Sequence, residues 1–183
     1  MRGLPACSEY LLSAYTPHET KQLLRLFEEV GFYCILRMWH RHEGQWAPLL
    51  LAHLHDPDIH PTELFACADE IFTTTARLHS GVVPDDLQAT IAASLPDLLN
   101  ASIINTARFL DHHALQLHEC VMELMGSDAD HRRFTYLRSL LGPPTTDDEE
   151  QLESGPLAGV PPRLRQTYVV LLCKVDPAVL FRL

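Results

Sequence analysis

The sequence predicts a mainly α protein, a helical bundle or short helical array with one long central helix. Proline precedes apolar-periodic stretches at Pro17, Pro61, Pro84, Pro96, Pro162 and Pro177. In a first turn it costs a helix little, because that N–H has no intrahelical partner. The apolar residues Ile103, Ala107, Leu110, Ala114, Leu117, Val121 and Leu124 alternate steps of three and four, the seam spacing of a helix packed against others. A chain of 183 residues that is 46% hydrophobic and 21% charged is long enough to bury a core. That composition excludes wholesale disorder and collagen-like or coiled-coil-only chains.

The first helix opens at Thr16-Pro17-His18-Glu19, where Thr16 caps and Glu19 reaches back as a capping box. Leu23, Leu26, Phe27 and Val30 follow at helical spacing. Gly31 divides two readings. The preferred one continues the helix through Cys34, Ile35 and Met38. The alternative is an α+β domain with a single β-hairpin at 32–54, turning at Glu43-Gly44, although Pro48 demotes its second strand.

Over 61–79, Leu64, Phe65, Ala68, Ile71, Phe72 and Leu78 mark one buried face, and Ser80-Gly81 supplies the stop. Another helix begins near Asp85 and is interrupted at Pro96, with Ser94 as a cap and Asp97 three residues on. It continues to Gly126, so that about 95–125 forms the central helix. A short helix spans 131–141 and ends in Gly142-Pro143-Pro144. Residues 145–161 are rich in Pro, Gly and acids and read as a long loop. Leu164, Tyr168, Leu171, Leu172 and Val175 predict a helix after Pro162, with a buried strand over 167–175 as the alternative, and Asp176-Pro177 starts a last turn. The expected organisation is a helical domain at 1–142, an acidic loop at 143–161, and a C-terminal segment at 162–183 packing back on the same domain.

Fourteen basic and 24 acidic residues give a formal charge of −10, and protonating all eleven histidines would carry it to +1. Charge near pH 5 to 6 is therefore labile. Five acids fall within Asp147 to Glu153, leaving the rest of the chain at −5; a solvated loop is the plain reading and a docking patch for a basic partner the sharper one. Twelve of the basic residues are Arg, and no more than two, Arg132 and Arg133, are adjacent. This argues against nucleic-acid binding, which needs an electrostatic stripe. No apolar run reaches the roughly 18 to 20 residues of a membrane span, and the first fifteen residues make no convincing presequence.

Cys7, Cys34, Cys67, Cys120 and Cys173 are odd in number and scattered, which predicts reduced, mostly buried thiols in an intracellular, reducing compartment, the cytoplasm rather than nucleus or organelle. Zinc requires three or four converging ligands, most readily at helical positions four apart. The useful histidine separations fall elsewhere: Asp111/His118 and His112/Glu119 share a face, but about 10.5 Å of rise separates their members on one helix. His53 and His55, or His40 and His42, would share a side only on strands, so no metal ligands and no cofactor are predicted. Cys120 lies near His118 in sequence, yet adjacent helical positions point apart, which makes it a core cysteine. GxSxG, GxGxxG and GxxxxGK are all missing.

Trp39 and Trp46 bracket the polar segment 40–45 beside Arg37 and Arg41. Core packing is the plain reading, and exposed aromatics beside arginines are also what interface anchors look like. Arg37, Trp39, Arg41 and Trp46 are therefore the candidate interaction residues. The expected function is a non-catalytic protein-protein interaction module, an adaptor or subunit of a larger assembly, with a protein partner or homo-oligomer. The alternative is a small helical metal- or proton-binding enzyme or sensor using the scattered histidines.

Overall fold

A computed structural model of the chain describes residues 17–126, 128–142 and 160–175, with side chains from residue 20 onward. The capping box at Thr16 and Glu19, Cys7, the acidic loop over 143–159 and the turn at Asp176-Pro177 lie outside those described residues. Among them the chain forms ten α-helices and no strand, so the mainly α class stands. Two compact units divide the chain, Met1–Thr90 and Ile91–Leu183, whereas the sequence reading sets its boundary at 142.

The first unit contains α1 (Pro17–Val30), α2 (Tyr33–His42), α3 (Trp46–Leu54) and α4 (Pro61–Leu78). Neither the continuous helix through Gly31 nor the hairpin at 32–54 forms, and the reason is the same at both glycines. Gly31 sits at φ +81° and Gly44 at φ +65°, the left-handed region that glycine enters without steric cost. At the first, Phe32 N–H donates to Phe27 O at 2.8 Å and Gly31 N–H to Glu28 O at 3.1 Å. At the second, Gln45 N–H donates to His40 O at 2.9 Å and Gly44 N–H to Arg41 O at 3.3 Å. Both are Schellman caps, which use the last helical carbonyls and stop the helix. The Phe27 and Phe32 rings, 6.0 Å apart, supply the apolar contact that accompanies such a cap. The segment read as a hairpin is thus two helices joined at a glycine turn.

Helices α3 and α4 carry most of the buried side chains of this unit, among them Leu49, Leu50, Ile71 and Phe72 at 0–1% exposure. The stop predicted at Ser80-Gly81 forms, with Gly81 N–H donating to Ala76 O at 2.7 Å. Helix α1 behaves differently. Leu23 and Phe27 are only half-buried, and Leu26 and Val30 stand 51% and 56% exposed.

Helix α5 (Asp85–Ala93) precedes α6 (Leu95–Ala101), α7 (Ile103–His113), a 3₁₀ turn (Leu115–Leu117), α8 (His118–Met125), α9 (Asp130–Leu141) and α10 (Pro162–Val175). The predicted central helix is therefore divided into α6, α7 and α8. Ser94 makes no side-chain cap, contrary to the sequence reading. Ser102 instead is extended at φ −167° and ψ 115°, and its Oγ accepts the Asn105 N–H at 3.2 Å, satisfying an orphan donor of the new helix. Across that break Thr106 Oγ1 lies 2.8 Å from Leu98 O and 2.7 Å from Ser102 O.

The second break, at Ala114 with φ −153° and ψ 56°, is marked by neither proline nor glycine. It turns His118 inward, where α8 meets α9. Most of the seam still faces the core: Ala107, Leu110 and Val121 are at 0% exposure and Ala114 at 4%, while Leu124 is 50% exposed. Helix α9 packs on α7 and on α10, and the Phe134 and Tyr168 rings stack at 5.9 Å. The helix predicted at the C-terminal segment, rather than the strand, is what forms. Among the described residues no helix is long and apolar enough to cross a membrane.

Candidate functional site

Of the four residues singled out in sequence, Arg37, Trp39 and Arg41 lie on α2 and Trp46 opens α3. Arg37 and Arg41, one helical turn apart, point to one side. Arg37 Nη1 donates to Asp56 Oδ2 at 2.5 Å, a pair whose side chains are 25% and 11% exposed. Arg41 makes two bonds to Glu70 of α4, at 3.3 and 3.2 Å. Trp39 projects elsewhere, and both it and Trp46 are half-buried. The arginines are thus consumed in an ionic seam within the unit and do not form one cluster with the tryptophans.

The sequence reading missed what this seam surrounds. His53 of α3 is 6% exposed, and neither Nδ1 nor Nε2 has a hydrogen-bond partner. Burial first, and then the Arg37 and Arg41 charges, lower its pKa from 6.5 to about 4. At neutral pH it is an uncharged imidazole and a weak base. Burial and then Glu63 and Glu70 push the Cys67 thiol up, which makes it a poor nucleophile. Two arginines balanced by two carboxylates leave the seam without a net field for a charged ligand.

A groove of about 290 Å³ lies between α1, α2 and α3, its α2 side formed by Tyr33, Leu36 and His40. Its α1 wall carries Lys21, Arg25 and Glu28, and its apolar side includes Leu36, Leu51 and Ala52. Gln45 Oε1 accepts a hydrogen bond from His40 Nδ1 at 3.0 Å along the same groove. Lys21 and Arg25 form no ion pair among the described residues, whereas Glu28 Oε1 lies 3.9 Å from His55 Nδ1. The four-residue spacing of Lys21 and Arg25 is the sequence signal that could have found this wall.

In the second unit, His118 is at 0% exposure. Its Nδ1 lies 2.6 Å from the Tyr136 hydroxyl, and its Nε2 lies 3.9 Å from Asp111 Oδ1. Burial, and secondarily Asp111, hold the Tyr136 hydroxyl far above its ordinary pKa, so the phenol stays protonated and donates to Nδ1. The ring proton then sits on Nε2, toward Asp111. Burial lowers the pKa of His118 while Asp111 opposes it. Asp111 and His118 thus face each other across the break at Ala114, without a hydrogen bond between them. The arrangement holds a neutral imidazole between a phenol and a carboxylate, and it contains no activated nucleophile.

The remaining groups do not converge. His53, His55 and His60 lie on or beside helices, not on strands: His55 caps the end of α3, and His60 Nδ1 accepts Thr62 N–H at 3.3 Å at the start of α4. Among the described residues no three His, Cys, Asp or Glu side chains are placed to hold an ion. Cys34, Cys120 and Cys173 are free and exposed, which corrects the expectation of buried thiols and of a core Cys120: each lies on a helix face turned to solvent. No protein-family model matches the chain, and comparison with curated proteins and with solved structures returns no match.

Proposed function

We propose that this chain is a non-catalytic protein-protein interaction module, an adaptor or a subunit of a larger assembly. The observation that supports this reading best is the face of α1 that the described residues leave uncovered. Leu23, Leu26, Phe27 and Val30 fall at the spacing of an apolar stripe, yet Leu26 and Val30 are 51% and 56% exposed, and Phe32 beyond the cap is 50% exposed. Side chains of that size at the i, i+3, i+4, i+7 positions are how an amphipathic helix meets a partner groove or a second copy of itself. Arg37 and Arg41 already have partners, so binding energy would come from this stripe with Trp39 and Trp46. Free, exposed thiols at Cys34, Cys120 and Cys173 fit a reducing, intracellular setting such as the cytoplasm.

Losing two buried apolar contacts of about 2 kcal/mol each weakens association more than tenfold. The expected result is that Leu26→Asp with Val30→Asp abolishes self-association in sedimentation, or removes the proteins that proximity labelling enriches with the wild-type chain, while helical content is unchanged. A wild-type monomer whose labelled set is the same as the variant's would sink the reading. A second reading, a proton-responsive enzyme or sensor, draws support from the two buried histidines with lowered pKa values.

A further inference from the structure

We propose that the groove between α1, α2 and α3 is a binding site for a small amphiphilic carboxylate, a monoanion with a short aliphatic body. This goes beyond the interaction reading, which rests on the opposite face of α1. Lys21, Arg25 and Glu28 share the groove wall, and Leu26 and Val30 project from the other side of the helix, because residues three, four and seven apart share a face. The two sites can be tested independently.

Three properties define the ligand. The formal charges of Lys21, Arg25 and Glu28 leave one net positive charge, which matches a single carboxylate. The apolar side, with Leu36 and Ala52 buried and Leu51 half-buried, is complementary to an alkyl body and offers nothing to a fully hydrated inorganic ion. The volume, about 290 Å³, lies at the lower edge of the roughly 300–1,000 Å³ of small-molecule sites. Lys21 and Arg25 approach the anion from successive turns, and their alkyl stems extend the apolar wall. The ionic seam of Arg37 and Arg41 lacks this character, since each of its arginines already faces a carboxylate.

The test titrates sodium octanoate into the full chain while amide NMR shifts are followed, with octanol and inorganic phosphate as separate probes. The expected outcome is saturable binding with a Kd below about 1 mM and shifts centred on 21–28, 33–40 and 45–52. Lys21→Gln with Arg25→Gln weakens it about five- to tenfold, the combined value of two exposed ion pairs, at unchanged thermal stability. Glu28→Gln tightens it. The proposal is overturned if octanol binds as tightly as octanoate, if phosphate alone displaces octanoate, or if the double variant binds with wild-type affinity. Shifts confined to Leu26, Val30 and Phe32 would likewise reject it, since they would mark detergent-like adhesion to the exposed stripe.

Discussion

His53 in the first unit and His118 in the second are both buried, and they are held in opposite ways. His118 has a hydroxyl at 2.6 Å on Nδ1, while its Nε2 makes no hydrogen bond, the Asp111 carboxylate lying 3.9 Å away. His53 has no partner on either nitrogen, although two arginines and two carboxylates stand around it. A buried polar group with a partner links elements, while one without a partner pays its desolvation with no return. His118 is therefore part of what holds its unit together, and His53 is a cost that its unit carries.

The largest effect expected from this contrast is in the second unit. Tyr136→Phe and His118→Leu each leave one buried polar group unpaired, and each is expected to lower the unfolding free energy by about 1–3 kcal/mol. The double variant removes both partners, so its loss falls below the sum of the singles, with a coupling of about 0.5–3 kcal/mol. Denaturant unfolding of the four proteins at one pH measures the cycle. Strictly additive losses would mean that the phenol and the imidazole do not act as a pair.

The next effect concerns acid. The folded-state pKa of His53 lies at about 4, below the 6.5 of the unfolded chain, so between those values the unfolded state binds more protons. Stability is then complete above pH 6.5 and is lost as pH falls toward 4. The full displacement corresponds to about 3 kcal/mol; with the exposed Arg41–Glu70 pair screened by solvent, about 2 kcal/mol is the expected loss. His118, shifted in the same direction, adds to the acid sensitivity of the second unit. Unfolding free energies at pH 7, 5.5 and 4 for the wild type and His53→Leu check this. Parallel curves would show that His53 titrates normally. A steeper curve for the variant would reverse the sign of the argument.

Helix type was legible where local chemistry decides it. Pro61 with Ser80-Gly81, and Pro162 before Leu164 and Leu171, mark ends that the chain uses. The glycine at 44 was legible as a turn, but whether a turn joins strands or helices depends on the Schellman bonds from Gln45 and Gly44, which pattern reading does not resolve. The break at Ala114 was not legible. No residue there disfavours a helix, and the His118–Tyr136 bond that follows the break joins partners 18 positions apart. Of the candidate site, Arg37 and Arg41 could be placed on one face from their spacing alone. Their partners Asp56 and Glu70 could not, nor could the groove beside them, because both depend on how α2 lies against α1, α3 and α4.

The smallest effect is the most diagnostic. At pH 7, His53→Leu replaces an unpartnered imidazole by an apolar side chain of similar size among Leu49, Leu50 and Ala52 on the same helix. The expected change is between zero and a gain of about 1 kcal/mol, because removing an unsatisfied buried polar group is neutral or stabilising. Thermal unfolding at pH 7 resolves the sign. A loss above about 1 kcal/mol would mean that the imidazole is satisfied after all and that the two histidines are alike. A gain would separate them fully. Position 53 would then hold a residue that the fold does without, and a side chain retained at a cost to stability is characteristic of a site shaped by something other than folding.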